Sequence, residues 1–241
     1  MRAARIGAAA LAGWLVAAQA CAGDLEDFNA AVEEASAHNR VALGYLRTGN
    51  LDFAALELDR LAEAWRAVAA RFAPARPAAF KDNALYDATL LDVSTRIVAA
   101  HMLLHSGRPE PAESSLQAIR KGLYDMRRAS SVRVLADCVF DANAAMDALI
   151  RLREARPGWE RPDVAAELSQ AGASYLKTLR ECDDLAPQAV KGDPEFRRLI
   201  DGAAASLASW PKAVETRDGD LLHRLFIELR AFDNLLAFRF G

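Results

Sequence analysis

Residues 41–58 read Val41-Ala-Leu-Gly-Tyr45-Leu-Arg-Thr-Gly49-Asn-Leu-Asp-Phe-Ala54-Ala-Leu-Glu-Leu58. Apolar residues recur at helical spacing on both sides of Gly49-Asn50, a pair that typically ends a helix. The stretch therefore predicts two helices joined by a tight turn. The small side chain of Ala54 lets the second helix approach the first closely.

The same pattern returns in residues 99–116, at a constant offset of 58 residues, with Gly107 in the place of Gly49. Extended to about 41–66 and 99–124, the two segments resemble the helical hairpins of tetratricopeptide repeats, which carry a turn Gly, a small Ala and bulky apolar residues at these offsets. The closing Pro of that family is replaced by Arg66 and Tyr124. Since the usual period is about 34 residues, we expect hairpins in a compact bundle rather than a regular superhelix.

Apolar periodicity along the whole chain predicts an all-α fold of about eight helices in antiparallel hairpins, packed as one bundle or two closely associated half-bundles. The expected helices cover residues 25–48, 52–72, 84–106, 110–127, 131–154, 163–183, 194–210 and 218–239. The Pro- and Gly-containing stretch 157–162 is the best candidate boundary. It predicts helical hairpins in 23–156 and a C-terminal bundle in 163–241, packed on the first half.

The last predicted helix is apolar on two faces. One face carries Leu222, Leu225, Phe226, Leu229, Phe232 and Leu236, and the other carries Ile227, Ala231, Leu235 and Phe238. A helix of this kind is expected to be buried between neighbours. In architecture, the C-terminal half resembles cytochrome c′-type bundles. Because the C-x-x-C-H motif is missing from this helix, the sequence excludes covalent c-type haem.

The N-terminus has the features of a secretory leader. Arg2 and Arg5 precede an apolar run from Ile6 to Ala18, and Ala20-Cys21-Ala22 follows. This order predicts a signal peptide, residues 1–22, cleaved after Ala22, and a periplasmic mature protein without a transmembrane segment. An alternative is a lipid anchor on Cys21, although Ala18 stands where lipoproteins usually have Leu.

The composition is that of an ordinary globular protein. Hydrophobic residues make up 52% of the 241 residues, and without the leader 28 basic and 33 acidic residues leave a net charge near −5. Proteins that bind nucleic acid concentrate basic charge on one face. We therefore expect no nucleic-acid partner.

Two cysteines, Cys138 and Cys182, remain in the predicted mature chain. Each lies on the apolar face of its predicted helix, and the two helices are consecutive. In an oxidising compartment such a pair can form a disulfide, and two inert buried thiols are the alternative. Each Cys has an acidic neighbour, Asp137 or Asp183, which disfavours a reactive thiolate.

The sharpest candidate for chemistry is His101-Met-Leu-Leu-His105. Residues at i and i+4 share a helix face, so both imidazoles could bind one transition metal ion. The alternative is structural. His105 in the last turn would bond free carbonyl groups, and His101 would be a partly buried, hydrogen-bonded residue.

The last helix also carries a narrow polar strip with His223, Arg230 and Asn234. Charges on a mostly apolar helix are normally paired, so cross-helix pairing is expected, and a ligand or partner contact at these three residues is the alternative. On the fifth helix, Asp147 precedes Arg151 by four residues. This spacing predicts a surface ion pair between the two side chains.

Together these features predict an exported helical scaffold or partner-binding protein without catalytic activity. Its partner would be another periplasmic protein docked along an exposed helical groove, and no cofactor is expected. The alternative is a metal- or haem-handling bundle that uses His101 and His105.

Overall fold

A computed structural model describes the backbone of residues 9–154 and 163–241, and the side chains of that part except residues 9–22 and 154. The start of the predicted leader, residues 1–8, and the predicted boundary at 157–162 lie outside the described residues. The side chains of residues 9–22, the rest of the predicted leader, also lie outside the described part.

The described residues are mostly helical and contain no strand, which confirms the all-α prediction. Each of the eight expected helices is present. The elements are α1 (Ala9–Arg47), α2 (Leu51–Phe72), α3 (Tyr86–His105), α4 (Pro109–Ala129), α5 (Leu135–Glu154), α6 (Val164–Leu185), α7 (Gln188–Lys191), α8 (Pro194–Ala208), α9 (Trp210–Glu215) and α10 (Gly219–Phe240). The short helices α7 and α9 and a 3-10 turn at Ala78–Phe80 were not expected, because a single turn leaves too weak a periodic signal.

The two repeated turns have the same backbone geometry. Gly49 and Gly107 adopt φ values of +74° and +69°, in the left-handed region that favours glycine. After Gly49, the Asn50 amide donates to the Tyr45 carbonyl at 2.9 Å, and the Gly49 amide donates to the Leu46 carbonyl at 3.1 Å. This Schellman pattern ends α1 and recurs at Gly107 to end α3.

The chain divides into two compact units, Met1–Val132 and Arg133–Gly241. In unit 1 the hairpins α1–α2 and α3–α4 pack through α2 against α3 and through α1 against α4, which closes a four-helix bundle. In unit 2, α5 packs on α6, α6 on α8, α8 on α10 and α10 on α5, which closes a second four-helix bundle.

The division differs from the expected boundary at 157–162, because α5 belongs to unit 2. Its apolar face, from Cys138 to Leu149, is buried in one core together with residues of α6, α8 and α10. Proline and glycine content reports where helices end, whereas the division into units depends on which apolar faces meet.

Trp210 of α9 makes a very close contact with α6 in the core of unit 2. Trp210, 2% exposed, donates from its indole Nε1 to the Leu168 carbonyl of α6 at 2.9 Å. A Cβ atom on Gly172 would lie 2.5 Å from that same nitrogen. Glycine is therefore required in the middle of α6 so that the indole can reach the helix backbone.

We expect Gly172→Ala to lower the free energy of unfolding of unit 2 by about 2 kcal/mol, because overpacking outweighs the better helix propensity of alanine. Thermal unfolding followed by tryptophan fluorescence measures it. Gly122→Ala on α4 is the matched control, since its Cβ would have no neighbour closer than 3.9 Å. The control should be neutral or stabilising, and an equal loss in both variants would contradict the packing argument.

Among the described residues, no helix combines the length and the apolar character that crossing a membrane requires.

Candidate functional site

The most distinctive surface of unit 1 is the outer face of α3. Six residues follow one another at alternating intervals of three and four, and all six are exposed: Ala88, Leu91, Thr95, Val98, Met102 and His105. We call this row the α3 seam. The exposed fractions of Leu91, Val98 and Met102 are 70%, 60% and 70%. Their spacing is that of a coiled-coil seam, which normally faces another helix.

The seam is not needed for the core of unit 1, because α3 has a second apolar face. That face is buried against α2 and α4 and includes Leu90, Val93, Ile97 and Ala100. The indole of Trp65 on α2 donates to the Leu90 carbonyl at 3.3 Å and to the Ser94 hydroxyl at 3.1 Å, which fixes the rotation of α3. The seam must therefore point outward.

The polar groups within the seam are bonded inside their own helix. The Thr95 hydroxyl donates to the Leu91 carbonyl at 2.9 Å, and His105 Nδ1 lies 2.9 Å from the His101 carbonyl, which can only accept. An internally bonded hydroxyl adds little polarity to the surface around it. The seam can thus be covered by a partner without leaving these donors unpaired.

His101 and His105 lie close to each other, with ring centroids 6.4 Å apart. His105 Nδ1 bonds to the His101 carbonyl one turn earlier in α3, and His101 Nε2 lies 3.6 Å from Asp59 Oδ1 of α2. Among the described side chains, no group of three or more His, Cys, Asp or Glu residues is arranged to hold a metal ion. The transition-metal alternative stays a prediction, to be tested by metal analysis of untagged protein.

The two cysteines meet as predicted. Cys138 of α5 and Cys182 of α6 are fully buried, their sulfur atoms are at disulfide distance, and their Cα atoms are 5.2 Å apart. This separation lies within the range that a disulfide requires. The pair therefore joins the two helices that open unit 2.

Arg230 is the only one of the three predicted α10 contacts for which the structure provides partners within the described residues. Its guanidinium lies 2.7 Å from Asp147 Oδ1 of α5 and 3.5 Å from Asp233 Oδ2. His223 and Asn234 are exposed and are not brought to this place. Arg230 is therefore paired across helices, with Asp147 of α5 as its partner.

Asp233, which the sequence reading missed, lies at the centre of a buried polar network and is 1% exposed. Its Oδ1 accepts from the amide of Asn143 at 2.9 Å and from the Tyr175 hydroxyl at 3.4 Å. Burial raises the pKa of the Asp233 carboxyl to about 6, although the Asn143 hydrogen bond and the Arg230 charge act to lower it. Burial and the nearby Asp233 raise the pKa of Tyr175 well above its usual value.

This network is a structural device rather than an open active site. Because Asp233 is buried, a substrate has no direct access to its carboxyl group. A buried carboxyl, two hydrogen-bond donors and a cation from three helices specify how α5, α6 and α10 fit together. The signal that could have revealed it is the position of Asp233, four residues after the core residue Leu229.

The expectation that α10 is buried on both apolar faces was wrong. The face with Leu222, Leu225, Phe226 and Leu229 is buried, but Ile227, Leu235 and Phe238 are 52%, 40% and 42% exposed. In a four-helix bundle each helix needs only one face for the core. The second face of α10 is therefore left on the surface of unit 2.

A shallow groove of about 460 Å³ follows the α5–α6 pair in unit 2. Small and apolar residues line much of it, including Ala145, Ala148, Leu152 and Ala171, while Arg151 and Glu167 bring opposite charges. Its small side chains make it a packing groove rather than a cleft with converging catalytic groups.

Comparisons with protein-family models, curated proteins and solved structures find no match for this chain.

Proposed function

We propose that this protein is an exported, periplasmic helical scaffold or partner-binding protein without catalytic activity. The observation that carries the proposal is the α3 seam, a continuous exposed row with coiled-coil spacing. Its large apolar members, Leu91, Val98 and Met102, remain in water in the free chain.

Covering the seam with a partner helix is energetically favourable. Full burial of one Leu, Val or Met side chain contributes about 1.5–3 kcal/mol, and the seam offers three of them. Recognition of a helix by anchors at i, i+4 and i+7 is a common mode of protein binding. Leu91, Thr95 and Val98 have this spacing.

Two further features support the proposed location. The order of basic residues, apolar run and small residues at the N-terminus is typical of a cleaved secretory leader. The Cys138–Cys182 pair at disulfide distance fits an oxidising compartment. The partner would accordingly be a protein of that compartment.

A photo-crosslinking amino acid at position 102 tests the proposal in the exporting cell. Met102 is 70% exposed and lies in the seam, so its replacement is expected to give a covalent adduct with a protein after illumination. The control is the same replacement at Lys121 of α4, whose side chain is 64% exposed. The control should give no adduct.

The same cells test export. The chain recovered from the periplasm should begin at Gly23, as N-terminal sequencing would show. Equal adducts at both positions, or adducts at neither, would contradict the binding proposal. A full-length chain retained in the cytosol would contradict the location.

A further inference from the structure

The α3 seam has the residues of an antiparallel helix pair with itself. The core of a coiled coil is formed by positions a and d of a seven-residue repeat. In an antiparallel pair, the residues at position a of one helix face the residues at position d of the other. Ala88, Thr95 and Met102 form one such set in the seam, and Leu91, Val98 and His105 form the other. Two copies of the same helix can therefore provide both residues of every facing pair.

The charges beside the seam favour the antiparallel direction. The first half of α3 carries Asp87 and Asp92, and the second half with the turn after it carries Arg96, His101 and Arg108. Parallel pairing would place like charges together and align the two helix dipoles, whereas antiparallel pairing places opposite charges and opposite dipole ends together.

We propose that two copies of this chain associate through antiparallel pairing of their α3 seams, about a two-fold axis between Thr95 and Val98. The inference rests on the proposed function, because it names the partner of the same face. With this axis, Leu91 faces Met102 of the second copy and Thr95 faces Val98. Such an interface is isologous and closes at the dimer.

The small and large residues of the seam also fit this arrangement. Ala88 lies opposite His105 of the second copy, so the smallest side chain makes room for the imidazole ring. At the rim, Asp87 comes beside Arg108 of the second copy, once on each side of the axis. Arg108 is exposed, and the side chain of Asp87 is 70% exposed.

The dimer is expected to be weak. From Ala88 to His105 the seam extends about 26 Å along the helix axis, so one helix pair falls at the small end of specific interfaces. Asp87 and Asp92 already contact Arg76 and Arg96 of their own chain. The rim charges therefore set the orientation, and the apolar layers supply the affinity.

Sedimentation of the exported chain over a range of concentrations is the first test. A reversible monomer–dimer equilibrium in the micromolar range is expected. Val98→Glu should weaken dimerisation about 100-fold, because the two new carboxylates, one from each copy, would lie close together on either side of the two-fold axis. Ile227→Glu is the matched control in unit 2, since Ile227 is also apolar and 52% exposed. It should leave the equilibrium unchanged.

Cysteine crosslinking tests the direction without relying on a disruptive variant. Leu91→Cys and Met102→Cys are prepared separately and then mixed under mild oxidation. A disulfide-linked dimer should form rapidly in the mixture and at least about tenfold more slowly in either variant alone. Rapid crosslinking of Leu91→Cys alone would indicate parallel pairing and overturn the proposal, as would a chain that stays monomeric at every concentration.

The crosslinker at position 102 separates this inference from the proposed function. An adduct of twice the chain mass supports self-pairing. Adducts only with other proteins would overturn self-pairing and leave the proposed binding function in place. The absence of any adduct would overturn both.

Discussion

Replacing Cys138 and Cys182 together by alanine is expected to lower the free energy of unfolding of unit 2 by about 4 kcal/mol. The two residues are 44 positions apart, so the crosslink closes a long loop that includes the connection between α5 and α6. Opening that loop raises the conformational entropy of the unfolded chain. Both side chains are fully buried, so their loss also leaves small voids in the core.

Hydrogen exchange with mass spectrometry measures this effect, because peptides from α5 and α6 report the opening of unit 2 separately from unit 1. The matched control is the unmodified chain under reducing conditions, which should reproduce most of the loss. Peptides of α2 and α3 in unit 1 should be unchanged. A loss below about 1 kcal/mol in unit 2 would show that the crosslink does not constrain the unfolded chain as argued.

The buried Asp233 carboxyl should make the stability of unit 2 depend on pH. Its pKa is about 6 in the folded chain, compared with an ordinary value of 3.8, so the folded state binds its proton more tightly than the unfolded state does. The stabilisation by this group is fully present below about pH 4 and is lost as the pH rises through 6. The loss amounts to about 3 kcal/mol between pH 4 and pH 7.

Asp233→Asn tests this dependence, because the amide keeps an oxygen that can accept from Asn143 and Tyr175 but does not titrate. The difference in unfolding free energy between the variant and the original chain should change by about 3 kcal/mol from pH 4 to pH 7, in favour of the variant at pH 7. The control is Asp201→Asn on α8, whose side chain is 68% exposed. If both variants follow the original pH profile, Asp233 is not the titrating group.

Local signals were sufficient for the eight main helices but not for the grouping of helices into units. Gly49 and Gly107 end their helices through hydrogen bonds that involve only the preceding turn, so a short window of sequence contains the whole cause. The assignment of α5 to unit 2 depends on its contacts with α6 and α10. The residues that make these contacts are far apart in sequence, and no window contains both sides.

The candidate sites divide in the same way. The Cys138–Cys182 pair could be predicted because both residues fall on the apolar faces of consecutive helices. Asp233 was missed because its spacing from Leu229 places it on the buried side of α10 but does not identify its donors, which come from α5 and α6. The outer face of α10 was predicted to be buried, since periodicity shows that a face is apolar but not that a neighbour covers it.

The sequence by itself determined the all-α class, the approximate positions of the eight main helices and the apolar faces on which the two cysteines lie, because helix periodicity and glycine turns act over short distances. Only the tertiary structure decided which apolar faces are covered. It leaves the α3 seam in water while the opposite face of α3 is buried. The reason is physical: both faces favour burial, and the bundle has room in its core for one.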